Sequence, residues 1–164
     1  MKLKVGVGYD VHKLQEGISF WLGGIEVDSR YGAVGHSDAD VLIHAIIDSL
    51  LGASNLRDIG FQYPDSKQEF KGIDSKILLK DTLSKIKAKG YKIENIDSII
   101  CLQSPKIGSY IPLMQEKLAE VLEIDIEDIT IKATTTEQLG FVGRQEGVSA
   151  HSVCLLSKEQ LSVS

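Results

Sequence analysis

From Val41 to Leu51 the chain carries Val41, Leu42, Ile43, Ala45, Ile46, Ile47, Leu50 and Leu51, with no proline or glycine between them. Wound at ~3.6 residues per turn, these side chains cover nearly the whole circumference of a helix. A helix apolar almost all round is a buried one, so the remaining chain has to wrap it. Upstream, Ser37-Asp38-Ala39-Asp40 reads as an S-x-x-D capping box, which predicts a helix of about four turns opening at Ser37. One row breaks the apolar surface: Asp40, His44 and Asp48, spaced i, i+4, i+8, stack on one face. Charges on a buried helix are costly unless compensated. Two readings stand: a solvated polar stripe, or a bound cation with His44 as ligand and a carboxylate orienting its other ring nitrogen.

The flanking sequence supplies the wrapping. Residues 1–9 alternate, with Leu3, Val5, Val7 and Tyr9 on one face and Lys2, Lys4, Gly6 and Gly8 on the other, as in a half-buried strand. The strand runs into Asp10-Val11-His12, where an extended chain points Asp10 and His12 the same way. Residues 18–27 read as one strand or a bent pair, with Gly23-Gly24 marking a bulge or a close backbone approach. Residues 28–35 read as a loop. Asn55 to Gln68 is irregular, a length typical of lids and binding loops. Further helices are predicted over about 74–89, stopped by Gly90, and 110–122, with Pro112 in the first turn. Further strands fall at 96–102, 129–133 and 148–156. The order β-β-α-α-β-α-β-β predicts an α+β fold, a two-layer sandwich of one mixed sheet with helices on one face. An oligomer could cover the other face.

A chain of 164 residues suits one domain spanning 1–164. The net charge of −5 argues against nucleic acid as a partner. No apolar run approaches ~18 residues, so no membrane span is expected. The start reads as a strand rather than a signal or transit peptide. Cys101 and Cys154 lack C-x-x-C spacing and read as reduced, buried thiols, which points to the cytoplasm. His151 lies mid-strand with no chemical motif around it and reads as structural.

Asp10, His12 and His44 form a three-ligand set with a fourth position free, the layout of a catalytic zinc site. Thr134-Thr135-Thr136-Glu137 offers hydroxyls and a hard oxygen, which suit phosphate and Mg²⁺ or Mn²⁺. Ser37 at a helix start can donate to phosphate. Asp38 and Asp40 would repel that anion unless a cation reverses the local charge, so the metal and phosphate readings depend on each other.

Four blocks, in order and at this chain length, carry a resemblance over essentially the whole sequence: Gly8-Tyr9-Asp10-Val11-His12; His36-Ser37-Asp38-Ala39-Asp40 with His44; Asp58-Ile59-Gly60 with Tyr63-Pro64-Asp65; and Ala133 to Glu137 with Leu139-Gly140-Phe141 and Gly143-Arg144. The chain resembles the 2-C-methyl-D-erythritol 2,4-cyclodiphosphate synthases of the non-mevalonate isoprenoid pathway. The resemblance implies a homotrimer with sites between subunits and 4-diphosphocytidyl-2-C-methyl-D-erythritol 2-phosphate as substrate. In that reaction the 2-phosphate attacks the β-phosphorus and CMP leaves. By the same resemblance, Asp10, His12 and His44 hold Zn²⁺, and Glu137 holds Mg²⁺ or Mn²⁺. His36 and Thr135 stabilise the transition state, and Asp58 holds the methylerythritol hydroxyls. Substrate contacts extend to Asp10, Val11, His12, Ser37, Ile59, Gly60, Tyr63, Pro64, Asp65, Thr134, Thr136, Phe141 and Arg144. Leu102, Pro105 and Lys106 belong to the cytidine loop of the neighbouring subunit.

The sequence departs from the family pattern at Lys67, where an acid is frequent, at Ile107-Gly108, where bulkier residues are frequent, and at Tyr9, often phenylalanine. The resemblance also implies an axial cavity near Tyr9, Phe141 and Arg144 able to hold an isoprenoid diphosphate, with Arg144 and Glu146 as its polar end or as a plain ion pair. Two rival functions follow from the same residues. One is a hydrolase using water as nucleophile; the other is a non-enzymatic trimer that binds an isoprenoid diphosphate.

Overall fold

The computed structural model describes residues 1–159. In chain order the elements are β1 (Lys2–Glu16), β2 (Phe20–Leu22), β3 (Ile25–Val27), β4 (Tyr31–Val34), α1 (Val41–Ala53), α2 (Ile59–Gln62), α3 (Ser75–Ala88), β5 (Lys92–Cys101), α4 (Ile111–Leu122), β6 (Ile129–Thr134), α5 (Gly140–Gly143) and β7 (Gly147–Lys158). Five strands form one sheet in the order β4-β1-β7-β5-β6, and β2-β3 is a separate hairpin. Only β5 and β6 run parallel; the other neighbours in the sheet are antiparallel. The mixed sheet with helices on one face is the predicted sandwich.

The apolar helix is α1, and Val41, Leu42, Ile43, Ile46, Ile47, Leu50 and Leu51 are fully buried in it. Each such side chain contributes on the order of 1.5–3 kcal/mol by leaving water. Its start differs from the predicted capping box. Asp40, not Ser37, is the N-cap, and its carboxylate accepts from Ile43 N at 3.0 Å. The same carboxylate accepts from Gly23 N and Gly24 N at 2.9 and 2.7 Å. Burial pushes the Asp40 carboxyl up, and those three backbone donors oppose the push. So Asp40 is neither a metal ligand nor part of a solvated stripe. It ties α1 to the β2-β3 hairpin, whose two turn glycines have φ of +61° and +79°.

The residues predicted as a loop before α1 include β4, which pairs with the far end of β1. The larger correction concerns which face of β1 is buried. Leu3, Val5 and Val7 point outward, with Val5 69% and Val7 72% exposed. The Gly6-Gly8 side packs beneath α1 instead. A Cβ at Gly6 would sit 1.9 Å from Ser49 O, and one at Gly8 would sit 1.9 Å from Ala45 O. Only glycine admits the helix backbone that close. Gly52 is the opposite case, since a Cβ there meets nothing within 4 Å. Gly52→Ala is expected to stabilise the chain by about 0.5 kcal/mol through helix propensity, read as a rise of roughly 1–2 °C in Tm.

Candidate active site

The close approach of α1 to β1 fixes the register of the site. Gly6 lies against Ser49 and Ala53, and Gly8 against Ala45. Two residues further along the same face of β1, Asp10 meets His44, with Oδ2 3.1 Å from His44 Nδ1. His12, two residues on again, brings Nε2 to 2.9 Å from Asp10 Oδ2 and 3.1 Å from His44 Nδ1. Among the described residues this is the group of three His, Cys, Asp or Glu side chains whose ligand atoms converge.

The donor set fits a divalent cation. His12 Nδ1 lies 3.0 Å from the Val34 carbonyl, which can only accept, so Nδ1 carries the proton and Nε2 faces the centre bare. Three ligands at ~2.0–2.1 Å around a tetrahedral zinc stand roughly 3.3 Å apart, close to the spacing found. On the far side of the His44 ring, Nε2 meets Ser75 Oγ at 2.9 Å and Ser37 Oγ at 3.1 Å. The expected carboxylate partner is therefore replaced by hydroxyls. Asp48, the third member of the helix row, accepts from Ile59 N at 2.8 Å, and burial pushes its carboxyl up. It anchors the segment that presents Asp58.

That segment is more ordered than the predicted irregular loop. Asp58 is exposed and caps α2 by accepting from Phe61 N at 2.8 Å. Its second carboxylate oxygen has no protein partner among the described residues. Ile59 packs on the core, while Gly60 and Asp65 are exposed and Pro64 is half-buried. Tyr63 departs from its expected role. Its side chain is buried and its hydroxyl donates to Asp81 Oδ2 at 2.7 Å, so any substrate contact from Tyr63 is left to its backbone. Val11 is similar, since its side chain lies on the opposite face of β1 from Asp10 and His12. His36 is half-buried, and its Nε2 is buried with no protein partner among the described residues. An orphaned ring nitrogen of that kind is costly unless a ligand meets it.

A second cluster surrounds the β5 and β6 ends. Leu102, Pro105, Lys106, Thr134 and Thr135 line one cleft of about 520 Å³. Leu102 N donates to Thr134 O at 2.9 Å, and Gln138 N to Gln103 Oε1 at 3.2 Å, so the two walls are tied together. The three threonines divide by what their protons do. Thr134 Oγ1 donates to Thr135 O and Thr136 Oγ1 to Leu139 O, whereas Thr135 Oγ1 accepts from Glu137 N. Thr135 alone of the three keeps its hydroxyl proton for a ligand. Glu137 is exposed at φ +53° and joins no converging group of protein ligands among the described residues. An ion held there would take its other ligands from phosphate oxygens and water, the habit of Mg²⁺.

The YgbB family model matches residues 3–157. The chain belongs to the YgbB family. It is similar to the 2-C-methyl-D-erythritol 2,4-cyclodiphosphate synthase of Bacteroides fragilis, at 60% identity over 96% of this chain and 99% of that protein. The corresponding synthase of Bacteroides thetaiotaomicron is 57% identical over 97% of this chain and all of that one. Among solved structures, an IspF–CDP complex from Plasmodium falciparum superposes with a TM-score of 0.85 at 31% identity, covering 96% of this chain and 97% of that one. A bifunctional IspDF from Campylobacter jejuni gives 0.93 at 40% identity, with 97% of this chain matching 43% of that longer one. This YgbB chain is thus an enzyme of the lyase class with a metal-binding Asp/His group.

Four further residues lie outside both clusters. Arg144 and Glu146 form a two-pronged ion pair at 3.0 and 3.2 Å, while Phe141 packs beside Gly147. His151 stands on the outer sheet face, its ring 4.8 Å from that of Tyr9.

The electrostatics of the triad predict how metal binding depends on pH. Burial alone would push the Asp10 carboxyl up, but the hydrogen bonds and charges of His12 and His44 together outweigh it and hold it at about 2. Burial would push His12 down, but its hydrogen bond to Asp10 and that carboxylate's charge raise it above the ordinary 6.5. In the metal-free chain a raised His12 contributes stability below 6.5 that is lost as pH rises through its folded value. A metal needs the opposite state, a neutral imidazole. Asp10 stays ionised throughout, and His12 must give up its proton before a metal can take Nε2. Affinity for a divalent metal is expected to fall about tenfold per pH unit once the pH drops below that raised value. Calorimetric titration at stepped pH checks this, and a flat profile contradicts it.

Proposed function

We propose that this chain converts 4-diphosphocytidyl-2-C-methyl-D-erythritol 2-phosphate to 2-C-methyl-D-erythritol 2,4-cyclodiphosphate, releasing CMP. The observation that carries the reading is the convergence of Asp10, His12 and His44 in a chain whose similar proteins bear that synthase's name. The substrate's 2-phosphate oxygen forms a bond to the β-phosphorus. The bond from that phosphorus to the bridging oxygen breaks, and the oxygen leaves on CMP. The nucleophile belongs to the substrate, so the protein needs no serine or cysteine nucleophile. Its task is positioning and charge stabilisation.

Asp10, His12 and His44 would hold Zn²⁺, and Glu137 would hold Mg²⁺ or Mn²⁺ together with the diphosphate. Cations placed there would supply charge neutralisation to the phosphate oxygens. His36 directs its orphaned Nε2 to a phosphate oxygen, and the spare Thr135 proton reaches another. Ser37 donates to phosphate from the α1 entry, and the free oxygen of Asp58 accepts from the methylerythritol hydroxyls. Leu102, Pro105 and Lys106 line the cytidine cleft.

The register across the sheet pairs Thr134 with Cys101, Cys101 with Ser149, and Ser149 with Val11. The cytidine cleft and the metal triad therefore sit at one end of the sheet but three strands apart, about 14 Å. We assign them to two sites, each completed by a neighbour in a homotrimer. The outward apolar face of β1 and Val153 of β7 supports that assembly. Tyr9, Phe141 and Arg144 would then approach its axis and border a place for an isoprenoid diphosphate. Val7→Glu is expected to give folded monomers with turnover reduced at least about 100-fold, since a buried unpaired charge disfavours assembly. Sedimentation paired with activity checks this, and an active trimer contradicts it.

Product analysis tests the function itself. CMP and cyclic diphosphate without free phosphate support the cyclase. Free inorganic phosphate would point to the hydrolase, and no turnover by the metal-loaded protein to a binding protein.

A further inference from the structure

We infer that Ser75 and Asp38, which lie outside the metal-ligand set, are positioning residues that fix which nitrogen of His44 faces the metal. The inference rests on the metal reading above. Proton bookkeeping carries it. Ser75 Oγ lies 2.5 Å from Asp38 Oδ1, and Ser75 N donates to Asp38 Oδ2 at 2.9 Å. An ionised carboxylate can only accept, so the Ser75 hydroxyl proton goes to Asp38. Ser75 Oγ is then left only with lone pairs for His44 Nε2, 2.9 Å away. Nε2 must carry the ring proton, and Nδ1 presents its lone pair toward Asp10 and His12.

The chain is built to hold this arrangement. Ser75 is fully buried and opens α3, while Asp38 lies in the entry to α1. Asp38 N donates to Ile73 O at 3.1 Å, which holds the backbone, and Asp40 N donates to Asp38 Oδ1 at 3.1 Å, which holds the carboxylate opposite Ser75. Ser37 Oγ is the longer contact to Nε2 at 3.1 Å and already accepts from Ala39 N. Ser37 therefore keeps its proton for a phosphate oxygen while Ser75 orients the ring. The two serines, one before α1 and one opening α3, divide the work at His44 Nε2.

The test measures metal affinity and ring tautomer, neither of which needs turnover. In Ser75→Ala, Zn²⁺ affinity by chelator competition is expected to fall about 10–100-fold, with the thermal melt of the metal-free chain showing a folded protein. Asp38→Asn is expected to weaken affinity in the same direction, and Ser75→Thr, which keeps the hydroxyl, to restore most of it. In the unaltered zinc-loaded protein, nitrogen-15 spectra are expected to show His44 protonated at Nε2 and unprotonated at Nδ1. Unchanged affinity in Ser75→Ala, or a proton on Nδ1 in the unaltered protein, overturns the inference. The spectrum needs no variant, so a misfolded Ser75→Ala leaves the question decidable. Failure of the unaltered chain to bind Zn²⁺ at Asp10, His12 and His44 would instead sink the metal reading beneath it.

Discussion

His44→Ala is expected to lower CMP release by roughly 10³–10⁴-fold while the chain stays folded. The size follows from what the ligand supports. A bound cation contributes several kcal/mol of charge stabilisation to phosphoryl transfer, and each ~1.4 kcal/mol is a factor of ten. His44 is the triad member on α1, and its Nδ1 lies about 3.1 Å from both partners. Without it, Asp10 and His12 remain on one strand as a two-ligand remnant. The structural cost is smaller. Removing a buried ring leaves a cavity worth on the order of 2 kcal/mol, against a total stability of about 5–15 kcal/mol. Steady-state kinetics beside a thermal melt separate the two effects, and near-normal turnover in a folded His44→Ala variant would contradict the metal assignment.

Gly8→Val is expected to destabilise the chain by on the order of 3–5 kcal/mol and to lose metal binding with the fold. The first atom of any side chain at position 8 would lie 1.9 Å from the Ala45 carbonyl oxygen and 2.8 Å from Ser49 N. Both are helix backbone atoms, so α1 itself must lift off β1. That lift separates His44 from Asp10, because their contact lies two residues along β1 and one along α1 from the same crossing. Denaturant unfolding gives the stability change, and metal titration of the surviving folded fraction gives the site. A Gly8→Val variant with normal stability and metal affinity would show that the crossing does not set the triad. Gly52→Ala, on the open side of the same helix, serves as the control that should move the other way.

The buried helix, the longer strands and helices and the converging Asp10, His12 and His44 were legible because each obeys a local rule, whereas the short β4, α2 and α5 were not. An apolar circumference, an alternating strand and the D-x-H spacing need no knowledge of partners. The capping box misled because Ser37 has the right chemistry, but Asp40 can also receive the two glycine amides of the β2-β3 turn, and that tertiary contact decides the start of α1. The buried face of β1 was harder still. Leu3, Val5 and Val7 carry the apolar pattern of a core strand, yet steric room under α1 exists only for Gly6 and Gly8. An apolar side chain reserved for a partner looks the same in sequence as one reserved for the core. The pairing of Ser75 with Asp38 left no signal at all. A serine opening a helix is commonplace, and only the fold shows it against an imidazole thirty-one residues earlier in the chain.

On the proposed reading, Asp10, His12 and His44 grip one cation. Anomalous X-ray scattering at the zinc edge, from crystals of the zinc-loaded protein, measures this directly. A single strong peak is expected about 2.0–2.2 Å from Asp10 Oδ2, His12 Nε2 and His44 Nδ1. Zinc-dependent CMP release by protein whose crystals show no peak among those three atoms would contradict that reading.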